Sequence, residues 1–309
     1  MTSSHSVDAA APAAPSRAAL MTAFALVYVI WGSTYLFIRY AVETIPPFFM
    51  AGARYLIAGI AVYAWTRLRG GPRAPFRQWR AAAIVGALLL MGGNGAVTWS
   101  EQRVASGIAA LLVAIVPLWM VLLDWWRPGG TRPNAGTAIG LAIGLAGMAL
   151  LVGPGVLHGG GGIDPVGAAV LIVGGLSWAL GSLYARTADL PNEPMLANGM
   201  EMMAGGAILL LAGLLTGESH RLVLSAVSAK SMWSLIYLIT IGAIVGFSAY
   251  TYLIRNAAPS LVGTYAYVNP VVAILLGWAF AGEPLTLRMV AAGGVIVAGV
   301  ALITLSRRS

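Results

Sequence analysis

Runs of about twenty apolar residues recur along the chain from Leu20 to Leu305, separated by short connections that gather prolines, glycines and charges. A helix needs roughly 20 such residues to cross a hydrocarbon core ~30 Å thick. The pattern predicts ten membrane helices, over 20–39, 47–66, 80–99, 104–124, 135–153, 165–185, 195–215, 233–253, 260–280 and 287–305. Pro46, Pro47, Pro128, Pro154, Pro165, Pro194 and Pro284 fall at the ends of these runs, where helices start and stop. The glycine run 159–162 lies in the fifth connection with no lysine after it, so it reads as a turn rather than a phosphate-binding loop. One stretch resists the simple reading. "GNGAVTWSEQRVASGIAALLVAIVPLW" (93–119) puts Asn94, Thr98, Glu101 and Pro117 in or beside segments otherwise suited to lipid.

Composition agrees with a membrane chain. Of 309 residues, 59% are hydrophobic and 9% charged, with a mean hydropathy of +0.84, against about 25% charged in soluble domains. There is no cysteine, which removes disulfides and thiolate chemistry. The net charge of +8 does not point to nucleic acid, because the basic residues sit in the connections. With the N-terminus inside, Arg17, Arg67, Arg69, Arg73, Arg77, Arg80, Arg127, Arg132, Arg186, Arg255, Arg307 and Arg308 face the cytoplasm. Arg39, Arg103, Arg221, Lys230 and Arg288 face the other side. That excess predicts cytoplasmic termini in a multi-pass protein of the inner (cytoplasmic) membrane, and Trp65, Trp79, Trp125 and Trp126 gather at the inner interface. Residues 1–18 read as a disordered cytoplasmic tail. They make a poor signal peptide, because the small residues precede the first apolar run instead of following it.

The chain also repeats itself. Offset by 153 residues, "GNGAVTWSEQRVASGIAALLVAIVP" (93–117) falls without a gap on "GFSAYTYLIRNAAPSLVGTYAYVNP" (246–270), matching Gly93 with Gly246, Thr98 with Thr251 and Pro117 with Pro270. Offset by 147, Trp31 meets Trp178, Arg39 meets Arg186, Pro47 meets Pro194, Gly52 meets Gly199 and Gly59 meets Gly206. The predicted organisation is two five-helix halves, 19–154 and 163–309. An odd helix number turns the second half upside down, and inverted repeats place a substrate site near the midplane between the halves. Polar groups facing lipid cost several kcal/mol each; facing a wet central cavity they cost little.

The segments "WGSTYLFIRYAVETIPPFFMAGARYLIAG" (31–59), "VASGIAALLVAIVPLW" (104–119), "YLIRNAAPSLVGTYAYVNPVVAILLG" (252–277) and "GEPLTLRMVAAGGVIVAG" (282–299) resemble the EamA-like repeats of the drug/metabolite transporter superfamily. The resemblance covers nearly all of the chain after the tail. It is greatest to bacterial ten-helix exporters, a group that includes aromatic amino-acid exporters. It implies a basket of helices around a central cavity, lined by the first four helices of each half, with the fifth and tenth outside.

Several residues are candidates for that cavity. Trp31, Thr34, Tyr35 and Ile38 share one face of the first helix, and Trp178, Gly181, Ser182 and Ala185 one face of the sixth. Both tryptophans fall near the bilayer centre, as walls for an apolar or aromatic group or as helix packing. Asn94 and Thr98 on the third helix, Tyr250 on the eighth, and Tyr265 and Asn269 on the ninth either line the cavity or hydrogen-bond between helices. Glu101 and Arg103 read as solvated at the outer mouth. Arg54 and Glu201 occupy equivalent positions about seven residues inside their helices, where a charge costs on the order of 2.5–3.5 kcal/mol. They either pair with each other, contact substrate separately, or are held structurally. Pro117 and Pro270 are candidate hinges or fixed bends. The ridge Gly136, Gly140, Gly144 marks a close helix contact, within a monomer or in a weak homodimer.

The expectation is a secondary transporter that exports small organic solutes, foremost amino acids, by alternating access; multidrug or purine and nucleotide-type export by the same fold is the alternative. No Walker loop is present. HExxH, GxSxG and paired intramembrane acids are missing, and His5, His158 and His220 fall in the tail or connections, so an enzyme is not expected, nor a metal or cofactor.

Overall fold

The computed structural model describes residues 16–126, 132–152, 163–257 and 265–306. The glycine run 159–162, Arg127, Pro128, Pro154, Arg307, Arg308, His5, His158 and most of the predicted tail lie outside the described residues, as does the predicted start of the ninth helix. The described residues are helical and carry no strand. We label the helices α1 (Arg17–Ala41), α2 (Pro47–Leu68), α3 (Phe76–Ser100), α4 (Ser106–Trp126), α5 (Ala135–Val152), α6 (Pro165–Ala185), α7 (Pro194–Leu215), α8 (229–256), α9 (Tyr265–Ala281) and α10 (Leu287–Ser306). Seven of them (α1–α4 and α6–α8) are long and apolar enough to cross a membrane, and the other three are shorter apolar helices. This is a polytopic all-α membrane protein.

Local chemistry sets the ends. Proline opens α2, α6 and α7 at the first helical position, where its missing N–H is no loss. Ser16, Asp164 and Ser228 cap α1, α6 and α8 by accepting the backbone N–H of Ala19, Gly167 and Ser231. After α2 and α7 the chain turns through Gly70 and Gly217, at φ +84° and +73°, the left-handed conformation that glycine adopts without steric cost.

The core is built by the two halves interlocking. α2 and α7 run antiparallel at close range. A Cβ on Gly59 would lie 2.6 Å from the Met203 nitrogen, and one on Gly206 2.5 Å from the Leu56 nitrogen; Gly52 meets Leu210 and Gly199 meets Tyr63 in the same way. Each contact has a counterpart with the partners exchanged, the reciprocity that a two-fold relation produces. α5 and α10 pack likewise, with Gly140 against Gly299 and Ile303. The α5 glycine ridge is therefore used inside the chain. α1 packs on α8 and α9, and α6 on α3 and α4.

Two departures from the sequence expectation bear on the site. First, α3 and α8 widen into π-helical segments, Ala87–Gly95 and Leu238–Val245, at equivalent positions of the two halves. Such turns are rare and concentrate at functional sites. Second, α4 is not one continuous helix. It breaks at Ala114–Ile115 between Ser106–Val113 and Val116–Trp126, and Pro117 stands in the first turn of the second piece, where its missing N–H is tolerated. Pro270 does lie inside its helix.

Candidate functional site

Trp31, Tyr250 and Tyr265 come together at the junction of α1, α8 and α9. The Trp31 ring centroid is 4.8 Å from that of Tyr250, 5.2 Å from Tyr265 and 5.5 Å from Phe247. Edge-on and tilted ring pairs at these distances are favourable by ~0.5–1.5 kcal/mol each beyond area burial. The indole also lies on Gly246, where a Cβ would sit 2.7 Å from Nε1. Trp178 makes the equivalent glycine contact on the other side, lying on Gly93 with Cε3 2.7 Å from a Cβ placed there. Each tryptophan thus covers the glycine of the third helix of the opposite half. The described ring contacts include none between the two indoles; each lies on its own glycine of the opposite half.

Among the other polar candidates, Thr98 is buried and its hydroxyl donates to the Asn94 carbonyl at 2.8 Å, with the Asn94 side chain half-buried. The Ser182 hydroxyl donates to the Trp178 carbonyl at 2.8 Å. Tyr35 is half-buried against the large core cluster. Asn269 is buried, its Oδ1 without a hydrogen-bond partner, beside Gly32 of α1, where a Cβ would lie 3.2 Å from the Asn269 carbonyl oxygen.

Arg54 is buried at 4% exposure, with its guanidinium 4.7 Å from the Tyr55 ring centroid and its Nε unpartnered. A Cβ on Gly242 would meet both Arg54 Nη2 and the Thr34 methyl, at 3.4 and 3.3 Å. The guanidinium therefore points at the π-helical segment of α8, one turn from the seat of Trp31 on Gly246. Among the described residues Arg54 and Glu201 form no ion pair; in this conformation each is held separately.

Glu101 corrects the sequence reading. Far from being solvated, it is fully buried, and neither carboxyl oxygen has a hydrogen-bond partner. The turn after α3 is drawn inward because Arg39 Nη1 donates to the Glu101 and Val104 carbonyls, at 2.8 and 3.4 Å. Burial, reinforced by the nearby Glu283 carboxylate, pushes the Glu101 pKa well above its ordinary 4.5; the positive charges of Arg39 and Arg54 oppose that shift. Arg103, by contrast, is about half exposed, 3.8 Å from Asp164.

Two further carboxylates carry roles that sequence reasoning missed. Glu283, between α9 and α10, accepts the N–H groups of Ser106 and Gly107 at the start of α4, at 2.7 and 3.1 Å. Glu218, after α7, accepts those of Phe48 and Phe49 at the start of α2, at 3.2 and 2.9 Å. In both cases the second half caps a helix of the first half, placing negative charge at the positive end of its dipole. More contacts between the halves join this same end: Lys230 pairs with Glu43 at 2.5 Å, and the Ser231 hydroxyl donates to the Tyr40 carbonyl. The signal in sequence was only a glycine–glutamate pair after an apolar run, which says nothing of a partner so distant in the chain. A crevice of about 460 Å³ opens nearby between α1 and α8, lined by Phe37, Tyr40, Trp233 and Tyr237 among others; Trp31 is not part of it.

This architecture has known counterparts. A solved crystal structure superimposes with a TM-score of 0.64 at 22% identity, over 95% of this chain and 99% of that one, a likeness of fold. The protein named uncharacterized inner membrane transporter YedA in Escherichia coli K12 is 45% identical over 286 residues, 92% of this chain and 90% of that protein. Uncharacterized transporter YvbV of Bacillus subtilis 168 is 25% identical over 290 residues, 93% and 92% of the two chains. The pattern of the EamA-like transporter family matches twice, over residues 19–153 and 165–305. The chain belongs to the EamA-like transporter family, as a multi-pass membrane transporter rather than an enzyme.

Proposed function

We propose that this transporter exports small organic solutes, amino acids foremost and aromatic ones among them, across the inner membrane by alternating access between two inverted halves. The observation that carries the substrate class is the placement of Arg54. A buried guanidinium with an unpartnered nitrogen points at the α8 segment whose next turn seats Trp31, Tyr250 and Tyr265. A planar guanidinium binds a carboxylate in two-pronged fashion, and the adjoining rings suit an apolar or aromatic side chain. The inverted arrangement is supported by the antiparallel, reciprocal glycine contacts of α2 and α7. The basic connections favour cytoplasmic termini, which makes the end carrying 42–46, 101–105, 216–228 and 282–286 the outer one. The polar contacts joining the halves there correspond to a state closed to the outside.

The test is exchange in proteoliposomes loaded with tryptophan, phenylalanine, threonine or methionine. The reading expects at least one of them to exchange with counterflow, which a carrier displays and an open channel does not. It also expects Arg54→Lys to weaken uptake, because the point charge of lysine lacks the two-pronged geometry. If no amino acid exchanges while a dye or a purine does, the substrate class is replaced by the multidrug or purine alternative.

A further inference from the structure

We propose that Glu101 is a proton-binding switch: its carboxyl holds a proton in this closed conformation and exchanges it with water when the halves part at the outer end, so that the pH on that side biases closure. The inference rests on the alternating-access reading above and adds a proton-linked step to it.

Three buried carboxyl groups at one end of the bundle differ in their partners. Glu218 and Glu283 each accept two backbone N–H groups from the start of a helix, an environment that suits a carboxylate. Glu101 is more deeply buried than either, at 0% exposure against 2% and 8%, and no donor reaches either of its oxygens. An ionised carboxylate in that position would lose its hydration and gain no hydrogen bond, the situation in which a buried acid takes up a proton instead.

Charged and titratable groups approach it from several elements. From α1, Arg39 commits Nη1 to the backbone carbonyls of Glu101 and Val104, and Tyr35 adds no hydrogen bond to the carboxyl oxygens. From α2 come Arg54, held over the Tyr55 ring, and Tyr55 itself. From the α9–α10 connection comes Glu283, whose negative charge opposes a second one nearby. At the start of α6, Asp164 faces Arg103.

The switch follows from where the seal lies. The end of the bundle that buries Glu101 is the one fastened by the Glu283 and Glu218 caps. Releasing those caps admits water to the carboxyl and frees the nearby cations to stabilise its charge, so the open state favours carboxylate and the closed state carboxylic acid. Protonation forms one O–H bond on Glu101 as one O–H bond of a hydronium ion breaks and leaves water; the reverse step returns the proton, and nothing is oxidised or reduced. Closing the outer end therefore takes up one proton from that side.

The experiment uses the full-length protein reconstituted in lipid. Infrared difference spectra across a pH titration are expected to contain a carboxylic C=O stretching band that is abolished by Glu101→Gln and retained in Glu201→Gln. If Glu101→Gln fails to fold, Glu101→Asp is expected to shift the band. A band unchanged in Glu101→Gln or Glu101→Asp, or no such band in the parent protein, overturns the proposal. These spectra require no substrate, so they decide the proton site even if every amino acid fails to exchange. Where an amino acid does exchange, Glu101→Gln is expected to keep exchange and to lose its dependence on the pH of the outer side. A pH dependence equal to that of the parent protein overturns the switching role.

Discussion

Trp31 of the first half lies on Gly246 of the second, and Trp178 of the second half lies on Gly93 of the first. The glycines are the matched residues of α3 and α8, and both contacts fall at or next to the C-terminal ends of the π-helical segments. A wide helical turn beside a residue with no side chain makes room for an indole between helices. The two halves are thus keyed into each other at two points rather than laid side by side.

Filling either keyhole tests this. A methyl at Gly246 would meet Trp31 Nε1 at 2.7 Å and Cδ1 at 3.0 Å, and a shift of the ring would disturb its contacts with Tyr250, Tyr265 and Phe247. Gly246→Ala is expected to destabilise the protein by about 1–3 kcal/mol, the usual range for overpacking, as a lowered melting temperature in detergent. Trp31→Ala added to it should recover part of that loss, since the two residues share one contact. Strictly additive effects would show that the indole is not what the methyl meets.

The α2–α7 contact predicts a stiffer response. At Gly206 the opposing atom is the backbone nitrogen of Leu56, 2.5 Å away, and backbone cannot rotate aside as a side chain can. At Gly144 of α5, by contrast, the three nearest atoms that a Cβ would meet belong to the Leu118 side chain, the closest being Cδ2 at 2.9 Å. Gly206→Ala is expected to separate its helices and to lower the melting temperature by more than Gly144→Ala, where a leucine can turn. An equal effect at the two positions would argue against a backbone-limited contact.

Much of this was readable from the sequence, for physical reasons that can be named. Apolar runs long enough to cross a bilayer mark helices strongly, and Pro47, Pro165 and Pro194 mark helix starts that the structure reproduces at those residues. The internal match pairs Trp31 with Trp178 and Gly93 with Gly246. It does not say that each tryptophan seats on the other half's glycine, because that depends on how the halves cross. Glu101 defeats the sequence reading because a polar residue just past an apolar run ordinarily meets water; Arg39, far back in the chain, draws its turn inward. The π-helical widening of α3 and α8 leaves no periodicity to detect, and the break in α4 lies inside an unbroken apolar run.

Stability should depend on pH through Glu101. Its pKa in the folded protein lies well above 4.5, so the folded state binds more protons than the unfolded chain at pH values above that figure. Stability then falls as pH rises through the window between the two values. The melting temperature of the parent protein is expected to decline from about pH 5 upward relative to that of Glu101→Gln, which cannot titrate there. Parallel curves for the two proteins would mean that Glu101 keeps an ordinary pKa.

If the termini are cytoplasmic as proposed, the caps of α2 and α4 lie at the outer end, and a thiol there is open to test from outside the cell. Glu283 holds two N–H groups at the start of α4, and removing a charged acceptor from buried donors costs roughly 1–3 kcal/mol. Because donor and acceptor belong to different halves, the loss should favour opening of that end as well as lowering stability. The chain has no cysteine, so a single introduced thiol reports its own accessibility. Ser106→Cys, at a position with 0% exposure, is expected to react slowly with a membrane-impermeant maleimide added to intact cells, and faster once Glu283→Ala is added. Glu218→Ala, which uncaps α2 instead, should raise the rate in the same direction. Labelling that is slow in all three proteins, while the thiol reacts readily after unfolding, would mean that the caps support the helices without holding the two halves together.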